Sequence, residues 1–478
     1  MKRFTFIMLS MVLIISLLGT SVQAAESAFG AKNSDDKSST ESAFSSSSFG
    51  SQTEEKLSWS GTLELDTRAI LDKNGTSDIY SDPILDLNLN YTKGNSEIDV
   101  TLNFDENADD NVKIEEATMR FYYDNYDLVV GKKKEVWGKG DKLHVVDNLN
   151  GEDLTDFINP DYLDRQIGEE MFKMNYYLGR GTLEAVYTPN FTPDNLATSG
   201  HWVTNEIQQM NDLEPVLIDQ FGIASATEVK GDLEKNSQQE IEDGQFGLRY
   251  TNSKAGYDYG FSFYRGYLKR PSMDEKAIEK LKNDYKTNSK TNYSDAKSFL
   301  YDLNLHYDQV SVFGAEMSSV IAGINSRAEL AYYRTDDTSG DDPEVRNNKI
   351  AWLIGGDRNL PLHNVNVNLQ VKSEYILDHE EIEDNSYDIQ QNQDNEYFTN
   401  LLSLEVSDEF KNQTVLPAVT LIYNLEREDY VLDNELELKL KDDTSLILNY
   451  KLFEGENHTD FGQFDENDYL SAKFKYDF

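Results

Sequence analysis

The residues of this sequence that could most clearly do chemistry are its many charged side chains. They do not form a recognisable catalytic set. The 87 Asp and Glu outnumber the 44 Lys and Arg among 478 residues, giving a formal net charge of −43. No cysteine is present, which excludes disulfides, thiolate metal sites and cysteine nucleophiles. The six histidines are scattered, without a metalloprotease, nucleophile-elbow or phosphate-loop motif. We therefore expect no enzyme, no cofactor and no metal site, and the acidic balance argues against nucleic-acid binding.

Carboxylates recur at every second position of stretches that alternate between apolar and polar residues. Where such residues surround a water-filled space, they attract cations and repel anions. The alternative is that the acidity serves solubility or salt adaptation without selecting anything. The candidate pore-lining carboxylates are Asp66, Asp86, Asp99 and Glu329, with Glu64 and Glu97 on the same predicted faces.

A basic run stands out against this acidic background at Lys132, Lys133 and Lys134. It ends a predicted strand and leads into a long loop, where it could oppose acidic residues across a constriction and create a transverse field. The segment Leu154–Ile167 is the part of this loop that we expect to fold inward, and its candidate constriction residues are Asp161, Asp164 and Arg165. The alternative is an external loop with ordinary surface charge.

The N-terminus has the features of an export signal. Lys2 and Arg3 precede an apolar run that is shorter than a bilayer-spanning helix, and Ala24 ends a small-residue cleavage site. A membrane anchor is the alternative interpretation. We predict a signal peptide over residues 1–24 and a flexible leader rich in Ser and acidic residues over 25–56. We predict a barrel domain over residues 57–478.

The elements that must position the charges are β-strands. Apolar and polar residues alternate with a period of two in many stretches, beginning with Leu57–Asp66. A soluble sandwich would show the same alternation. The export signal, the lack of another segment suited to a transmembrane helix, and connections that alternate between short and long favour a membrane barrel. The predicted fold is all-β, a transmembrane antiparallel up-and-down β-barrel with long external loops and short periplasmic turns.

The strand count follows from parity. The alternation marks nineteen stretches, and two of those within Phe299–Tyr333 break the succession of short and long connections. A bacterial barrel with both termini on the inner side needs an even number of strands. We therefore expect about 18 strands, with 16 or 20 as alternatives.

The last residues of the chain carry the sharpest signal. Phe474, Tyr476 and Phe478 share the apolar face of a final predicted strand. This ending resembles the C-terminal signal of outer-membrane barrels, a terminal Phe with an aromatic residue two positions earlier. The resemblance implies that the barrel-assembly machinery reads this strand. The alternative is an ordinary amphipathic strand that ends the chain.

Short motifs along the chain extend the resemblance. They are Gly131–Asp141, Asn159–Asp161, Tyr187–Phe191, Tyr267–Pro271 and Glu329–Arg334. In this order they resemble a poorly characterised family of bacterial outer-membrane barrels that are porin-like in build, over most of the chain from Leu57 onward. The resemblance implies a barrel in the outer membrane of a Gram-negative cell and a porin-like role, without a known substrate.

We therefore expect an outer-membrane channel for passive diffusion of small hydrophilic solutes, with a preference for cations. The rival hypothesis is a barrel without a useful pore that acts as an adhesin or envelope scaffold through its long loops, and a soluble secreted β-protein is a third. The expected partners are outer-membrane lipid, the barrel-assembly machinery and small solutes or ions. A homo-oligomer is an open alternative.

Overall fold

The protein is described here from a computed structural model covering residues 55–71, 78–105, 111–205, 208, 244–272, 274, 306–385, 388–392 and 394–478. The predicted signal peptide and the leader up to residue 54 lie outside this range. The described residues form an 18-stranded antiparallel sheet. Its first nine strands are β1 Glu55–Ile70, β2 Ile79–Lys93, β3 Ser96–Asp105, β4 Val112–Tyr122, β5 Tyr126–Lys133, β6 Glu169–Leu178, β7 Gly181–Thr188, β8 Gln245–Lys254 and β9 Tyr257–Tyr267. The other nine are β10 Gln309–Ile321, β11 Ile324–Thr335, β12 Lys349–Asn359, β13 Asn366–Ile376, β14 Phe398–Ser407, β15 Val415–Asn424, β16 Tyr430–Lys441, β17 Thr444–Glu454 and β18 Tyr469–Asp477.

The sheet closes on itself. Each strand pairs with the next along the chain, and β18 pairs back onto β1 from Thr62↔Asp477 to Ile70↔Tyr469. The Gly61 and Phe478 backbones exchange two hydrogen bonds of 2.9 Å, which extends this seam to the last residue. Closure leaves no unpaired edge, as a sheet within hydrocarbon requires. The predicted antiparallel barrel of about 18 strands is confirmed.

One alternating stretch of the nineteen, Phe299–Tyr307, is not a strand of the barrel wall. The reason is that β9 pairs directly with β10, from Tyr257↔Ser319 to Tyr267↔Gln309, so the wall has no strand between them. Residues 299–305 lie outside the described range, and His306 makes an isolated bridge to Ser272. The parity argument had correctly located the error in this part of the chain.

The two ends of the barrel differ in their connections, as predicted. One end has short turns and both barrel termini, and the other has the longer loops. Two tight turns, Ala255-Gly256 and Ala322-Gly323, have positive φ at both central residues, the geometry that matches the twist of an antiparallel hairpin. The longer connections at the other end follow β5, β7, β9, β11, β13 and β17.

The two faces of the wall differ in chemistry. Apolar side chains at alternate positions are exposed on the outer face, as Trp59 (65 %), Phe261 (59 %) and Ile354 (60 %) illustrate. The intervening positions point into the lumen and carry charges, amides and small residues. Apolar and aromatic residues on the outer face, around a polar interior, are typical of a barrel that spans a membrane.

Helices are few and short in the described part of the chain. They are α1 Tyr162–Arg165, α2 His379–Asp384 and a single 3₁₀ turn at Gly462–Phe464. None of the described helices is long and apolar enough to cross a membrane.

Candidate functional site in the barrel lumen

The loop of residues 134–168, here called the inward loop, leaves β5 and folds into the barrel instead of over its rim. Trp137, Val145, Val146 and Leu149 are at most 2 % exposed and form one apolar cluster with the lumenal face of the wall. The wall residues of this cluster are Met171, Val186, Tyr264, Val310, Val312, Ala331, Tyr333, Ala351 and Leu353. One part of the polar lumen is therefore lined with apolar residues, because it is the floor on which the loop packs.

Glycines on the wall make room for this packing. A Cβ on Gly247 would lie 2.6 Å from a ring carbon of Trp137, and one on Gly314 would lie 3.0 Å from Val146. The first distance is shorter than real Cβ contacts, and the second is tighter than nine in ten of them. These small residues let the loop approach the strands at backbone distance, which fixes its position against β8 and β10.

Glu329 on β11 holds the inward loop by its backbone. Its Oε1 accepts hydrogen bonds from the N–H groups of Lys139 (2.5 Å) and Gly140 (2.7 Å), and its Oε2 accepts one from Val145 (2.8 Å). The side chain is fully buried, and the His144 ring lies 3.4 Å from Oε1. We predicted Glu329 as a pore-lining charge. The structure instead places it under the loop, where its carboxylate accepts hydrogen bonds from three N–H donors and does not face the open lumen.

The tip of the inward loop reaches along the wall toward β14. Asp141 pairs with Arg327 of β11 and accepts a 2.6 Å hydrogen bond from the Asn368 amide of β13. Lys142 continues to Glu405 of β14, with its Nζ 2.8 Å from the carboxylate. Burial opposes the charge on Lys142, but its hydrogen bond and attraction to Glu405 outweigh burial and raise its pKa. The loop is thus fixed at several points along its path.

The Asp147 carboxyl stabilises the loop from within. It accepts a 2.7 Å hydrogen bond from the Tyr162 hydroxyl and a 3.2 Å bond from the Trp137 N–H. Burial raises the pKa of Asp147 to about 6 despite these bonds. A carboxyl with a raised folded pKa binds its proton more tightly in the folded state, so the folded loop gains stability as pH falls from about 7 toward 4.

We expect this gain to appear in channel recordings. Lowering the pH from 7.5 to 5 should make brief loop-opening current steps about tenfold rarer, because raising the pKa of Asp147 to about 6 stabilises the folded loop by about 1.4 kcal/mol over this range. Asp147→Asn, which copies the protonated form, should remove most of this pH dependence. A wild-type record with equally frequent steps at both pH values would show that Asp147 does not control the loop.

The lumenal side of β16 carries a row of carboxylates. Asp433, Glu435 and Glu437 occupy successive inward positions of this strand. Glu405 of β14 lies two strands away at the level of Asp433, because Thr420 of β15 is the cross-strand partner of both. Asp433 pairs with Lys451 at 3.0 Å, and Glu437 accepts a 2.7 Å hydrogen bond from the Ser445 hydroxyl. Glu435 is exposed to the lumen and makes no hydrogen bond or ion pair within the described part of the chain. It is the freest carboxylate of the row.

The inward loop presents further charges toward this region. Asp161 is the N-cap residue of α1, Asp164 lies within α1, and both are exposed. Asp161 acts electrostatically on both Lys142 and Glu435. Burial, followed by the Asp161 charge, raises the pKa of Asp164, which also senses Lys473 of β18. Both predicted carboxylates are therefore exposed and lie near charged residues of the lumenal wall.

Arg165, the third predicted residue of this segment, is turned away from the open channel. Its Nε lies 3.2 Å from Glu152, and its guanidinium donates a 2.9 Å hydrogen bond to the Pro160 carbonyl. The ring of Tyr162 lies 5.6 Å below it. Arg165 thus stabilises the loop itself.

The three lysines of the basic run do not form one row. Lys132 shares the outer face with Val130, because its β4 partner is Ala117, and its Nζ donates to the Ile114 carbonyl at 2.7 Å. The prediction that Lys132 faces a constriction is therefore wrong in its geometry. Lys133 lies 3.3 Å from Glu135, and Lys134 lies 2.9 Å from Glu115, at a bulge in β4.

The three remaining predicted carboxylates occupy lumenal positions. Asp66 is 5 % exposed and lies 2.8 Å from Arg68 Nε, whose guanidinium also contacts Asp156 of the inward loop at 2.7 Å. Asp86 accepts a 2.8 Å hydrogen bond from Asn103, and Asp99 accepts a 2.6 Å bond from Asn90. They lie on the β1–β3 wall and form no single ring with the β16 row.

A second apolar cluster holds parts of three loops at the long-loop end. Phe157 of the inward loop packs against Trp202 of the 189–244 loop and Phe464 of the 455–468 loop, with ring centroids 4.5–6.4 Å apart. The cluster rests on lumenal wall residues such as Phe453 and Tyr469. The inward loop is therefore packed at two separate places.

Sequence reasoning missed the β16 row and Glu405 as site residues. The signal was available, since Asp433, Glu435 and Glu437 fall on the polar face of a stretch that was predicted as a strand. The apolar floor could not be predicted from the sequence, because it is defined by contacts with a loop that lies far away in sequence.

A wide closed antiparallel barrel with an apolar outer face, a charged lumen and a loop folded into that lumen has the build of a porin. The described residues of this chain form such a closed 18-stranded barrel. No family model matches the sequence, and no curated protein matches it.

Three solved structures that are similar to this chain share little sequence identity with it. The Pseudomonas aeruginosa OccK2 (OpdF) structure has a TM-score of 0.48 at 10 % identity, covering 88 % of this chain and 97 % of that one. The Acinetobacter baumannii OccAB3 structure has 0.47 at 10 %, covering 88 % and 99 %. A BenF-like porin from Pseudomonas fluorescens Pf-5 has 0.47 at 7 %, covering 88 % and 98 %. The fold assignment rests on the strand pairing of this chain itself.

Proposed function

We propose that this chain is a channel of the bacterial outer membrane through which small hydrophilic solutes diffuse passively, with a preference for cations. The observation that carries the proposal is the inward loop, packed on an apolar floor and latched by Glu329 inside a closed barrel. A barrel that served only as a scaffold would not need a fixed loop inside it. The loop narrows the lumen without an independent plug domain in the described residues, so passive diffusion is the simplest mode of transport.

The preference for cations is supported by the β16 row. Asp433, Glu435 and Glu437 line one wall of the open lumen, and Asp161 faces them from the loop. Carboxylates near a narrow path raise the local concentration of cations and lower that of anions. Basic residues are present too, but Lys451 pairs with Asp433, and Lys473 and Lys475 both lie within 4 Å of Glu64.

Planar-bilayer recording of the purified barrel tests both parts of the proposal. We expect discrete conductance steps, and under a tenfold KCl gradient a reversal potential of the sign that indicates cation flux. Heat-modifiable migration in gels first shows that the barrel is folded. A folded barrel without conductance steps would exclude the channel and favour the adhesin or scaffold alternative. Conductance with a reversal potential near zero would exclude only the preference for cations.

A further inference from the structure

Two outward-facing arginines interrupt the apolar outer face of the barrel. Arg265 of β9, Ser311 of β10 and Arg334 of β11 are cross-strand neighbours at one level of the sheet. Their side chains share the face of Phe313 and Tyr332, since they occupy positions two residues away along their strands. This row lies at the long-loop end of the three strands.

An aromatic row lies immediately below the arginines. Phe263, Phe313 and Tyr332 are cross-strand neighbours one level nearer the middle of the barrel, with ring centroids 5.2 Å and 6.5 Å apart. Phe313 and Tyr332 are 48 % and 37 % exposed on the outer face. Aromatic belts lie at the boundary between acyl chains and headgroups, so the arginine row is at headgroup level.

The arginines border a cavity of about 310 Å³ on the outer face, lined by Arg265, Ser311, Arg334, Thr335, Asp336 and Thr338. Arg265 donates a 3.0 Å hydrogen bond to the Ser311 hydroxyl, contacts Gln309 and lies 3.5 Å from Asp336. The Asp336 side chain is 64 % exposed, so this pair is held weakly. Arg334 is exposed and has no hydrogen-bond or ion-pair partner in the described part of the chain.

We propose that this cavity binds the phosphorylated headgroup of a lipid in the outer leaflet of the outer membrane. Two guanidinium groups beside serine and threonine hydroxyls supply the fork-shaped donors that phosphate oxygens accept. The acyl chains of such a lipid lie along the aromatic row directly below. The site would be a fixed positive point on a chain whose net charge is −43 and whose loops are rich in acidic residues. It rests on the outer-membrane location proposed above, and not on conduction.

Native mass spectrometry of the full-length barrel in detergent tests the proposal with three probes. These are lipid A, the bisphosphorylated acylated glucosamine disaccharide, then its dephosphorylated form, and inorganic phosphate. We expect lipid A to bind, the dephosphorylated form to bind at least about tenfold more weakly, and phosphate at equal concentration to leave the complex intact. Arg265→Gln/Arg334→Gln should weaken lipid A binding about tenfold or more, with Arg334→Lys in between because it keeps charge but loses the fork.

Arg358 provides a matched control. It is also outward-facing, exposed and unpartnered within the described residues, but it lies at the short-turn end of β12, opposite Val367. Arg358→Gln should leave lipid A binding unchanged. Equal binding by the wild type and the double arginine variant would overturn the proposal, as would equal binding of both lipid forms or full displacement by phosphate. Conductance recorded on the same preparations keeps the two proposals separate, because the double variant should conduct normally.

Discussion

Replacing Glu329 with Gln is expected to release the inward loop and to increase the conductance of the channel. The neutral amide keeps one acceptor oxygen for Lys139 and Gly140 but turns an NH₂ donor toward the Val145 N–H, which donates at 2.8 Å in the wild type. Hydrogen bonds to a charged acceptor are worth about 1.5–3 kcal/mol each, against about 1 for neutral ones, so a net loss of about 3 kcal/mol is expected. That loss raises the equilibrium constant for loop release about a hundredfold.

Single-channel recording measures this release as longer or more frequent visits to a higher-conductance level. Glu374→Gln is the matched control. Glu374 is another lumenal carboxylate, paired with Lys349 at 2.7 Å and Lys372 at 2.9 Å. Within the described residues, it accepts no hydrogen bond from a backbone N–H of the inward loop. Its replacement alters the wall charge and leaves the loop latched. If both variants show the wild-type conductance level with normal noise, Glu329 is not the latch.

The latch also shows where sequence reasoning stops. The period-two alternation correctly places Glu329 on the polar face of a strand, and the same rule places Asp66 and Asp86 there. Alternation tells which face a side chain occupies but does not tell what meets it across the lumen. Glu329 meets three backbone N–H groups that lie more than 180 residues away in sequence. Its role as an anchor follows only from the folded loop.

The basic run illustrates the opposite case, because the orientation of its lysines could have been predicted from the sequence. Val130 is an apolar residue two positions before Lys132, so continued alternation puts Lys132 on the same outer face and Lys133 in the lumen. The prediction treated the three lysines as one row and therefore did not apply this alternation to them. Strand number, closure and the outward position of Phe478 were predictable for the same reason, because they depend on local alternation and parity and not on distant contacts.

Reversing the charge of Glu435 is expected to shift the selectivity of the channel from cations toward anions. Glu435 points into the open lumen and has no hydrogen-bond partner in the described residues, so Glu435→Lys removes a field without breaking a contact. A unit charge acting on an ion about 4 Å away is worth about 1 kcal/mol in water. Changing −1 to +1 therefore raises the energy of a nearby cation by about 2 kcal/mol and lowers that of an anion by the same amount, which lowers the cation-to-anion permeability ratio by up to about a thousandfold.

The measurement is the reversal potential under a KCl gradient, first near 0.1 M and then near 1 M. The screening length falls from about 10 Å to about 3 Å between these concentrations, so the effect should be large at low salt and much reduced at high salt. Glu435→Gln should give about half of the shift in free-energy terms. A shift that persisted unchanged at 1 M would point to a changed pore shape and not to the lost charge.

Glu428→Lys distinguishes the lumen from the mouth. Glu428 is exposed in the loop between β15 and β16, so its replacement changes the net charge by the same amount at the long-loop end of the same strand. Loop charges act on the bulk solution, where salt screens them, whereas Glu435 acts within the confined lumen. We therefore expect Glu428→Lys to move the reversal potential far less than Glu435→Lys. Equal shifts would place the selectivity in the external field of the acidic loops and would remove the β16 row from the mechanism.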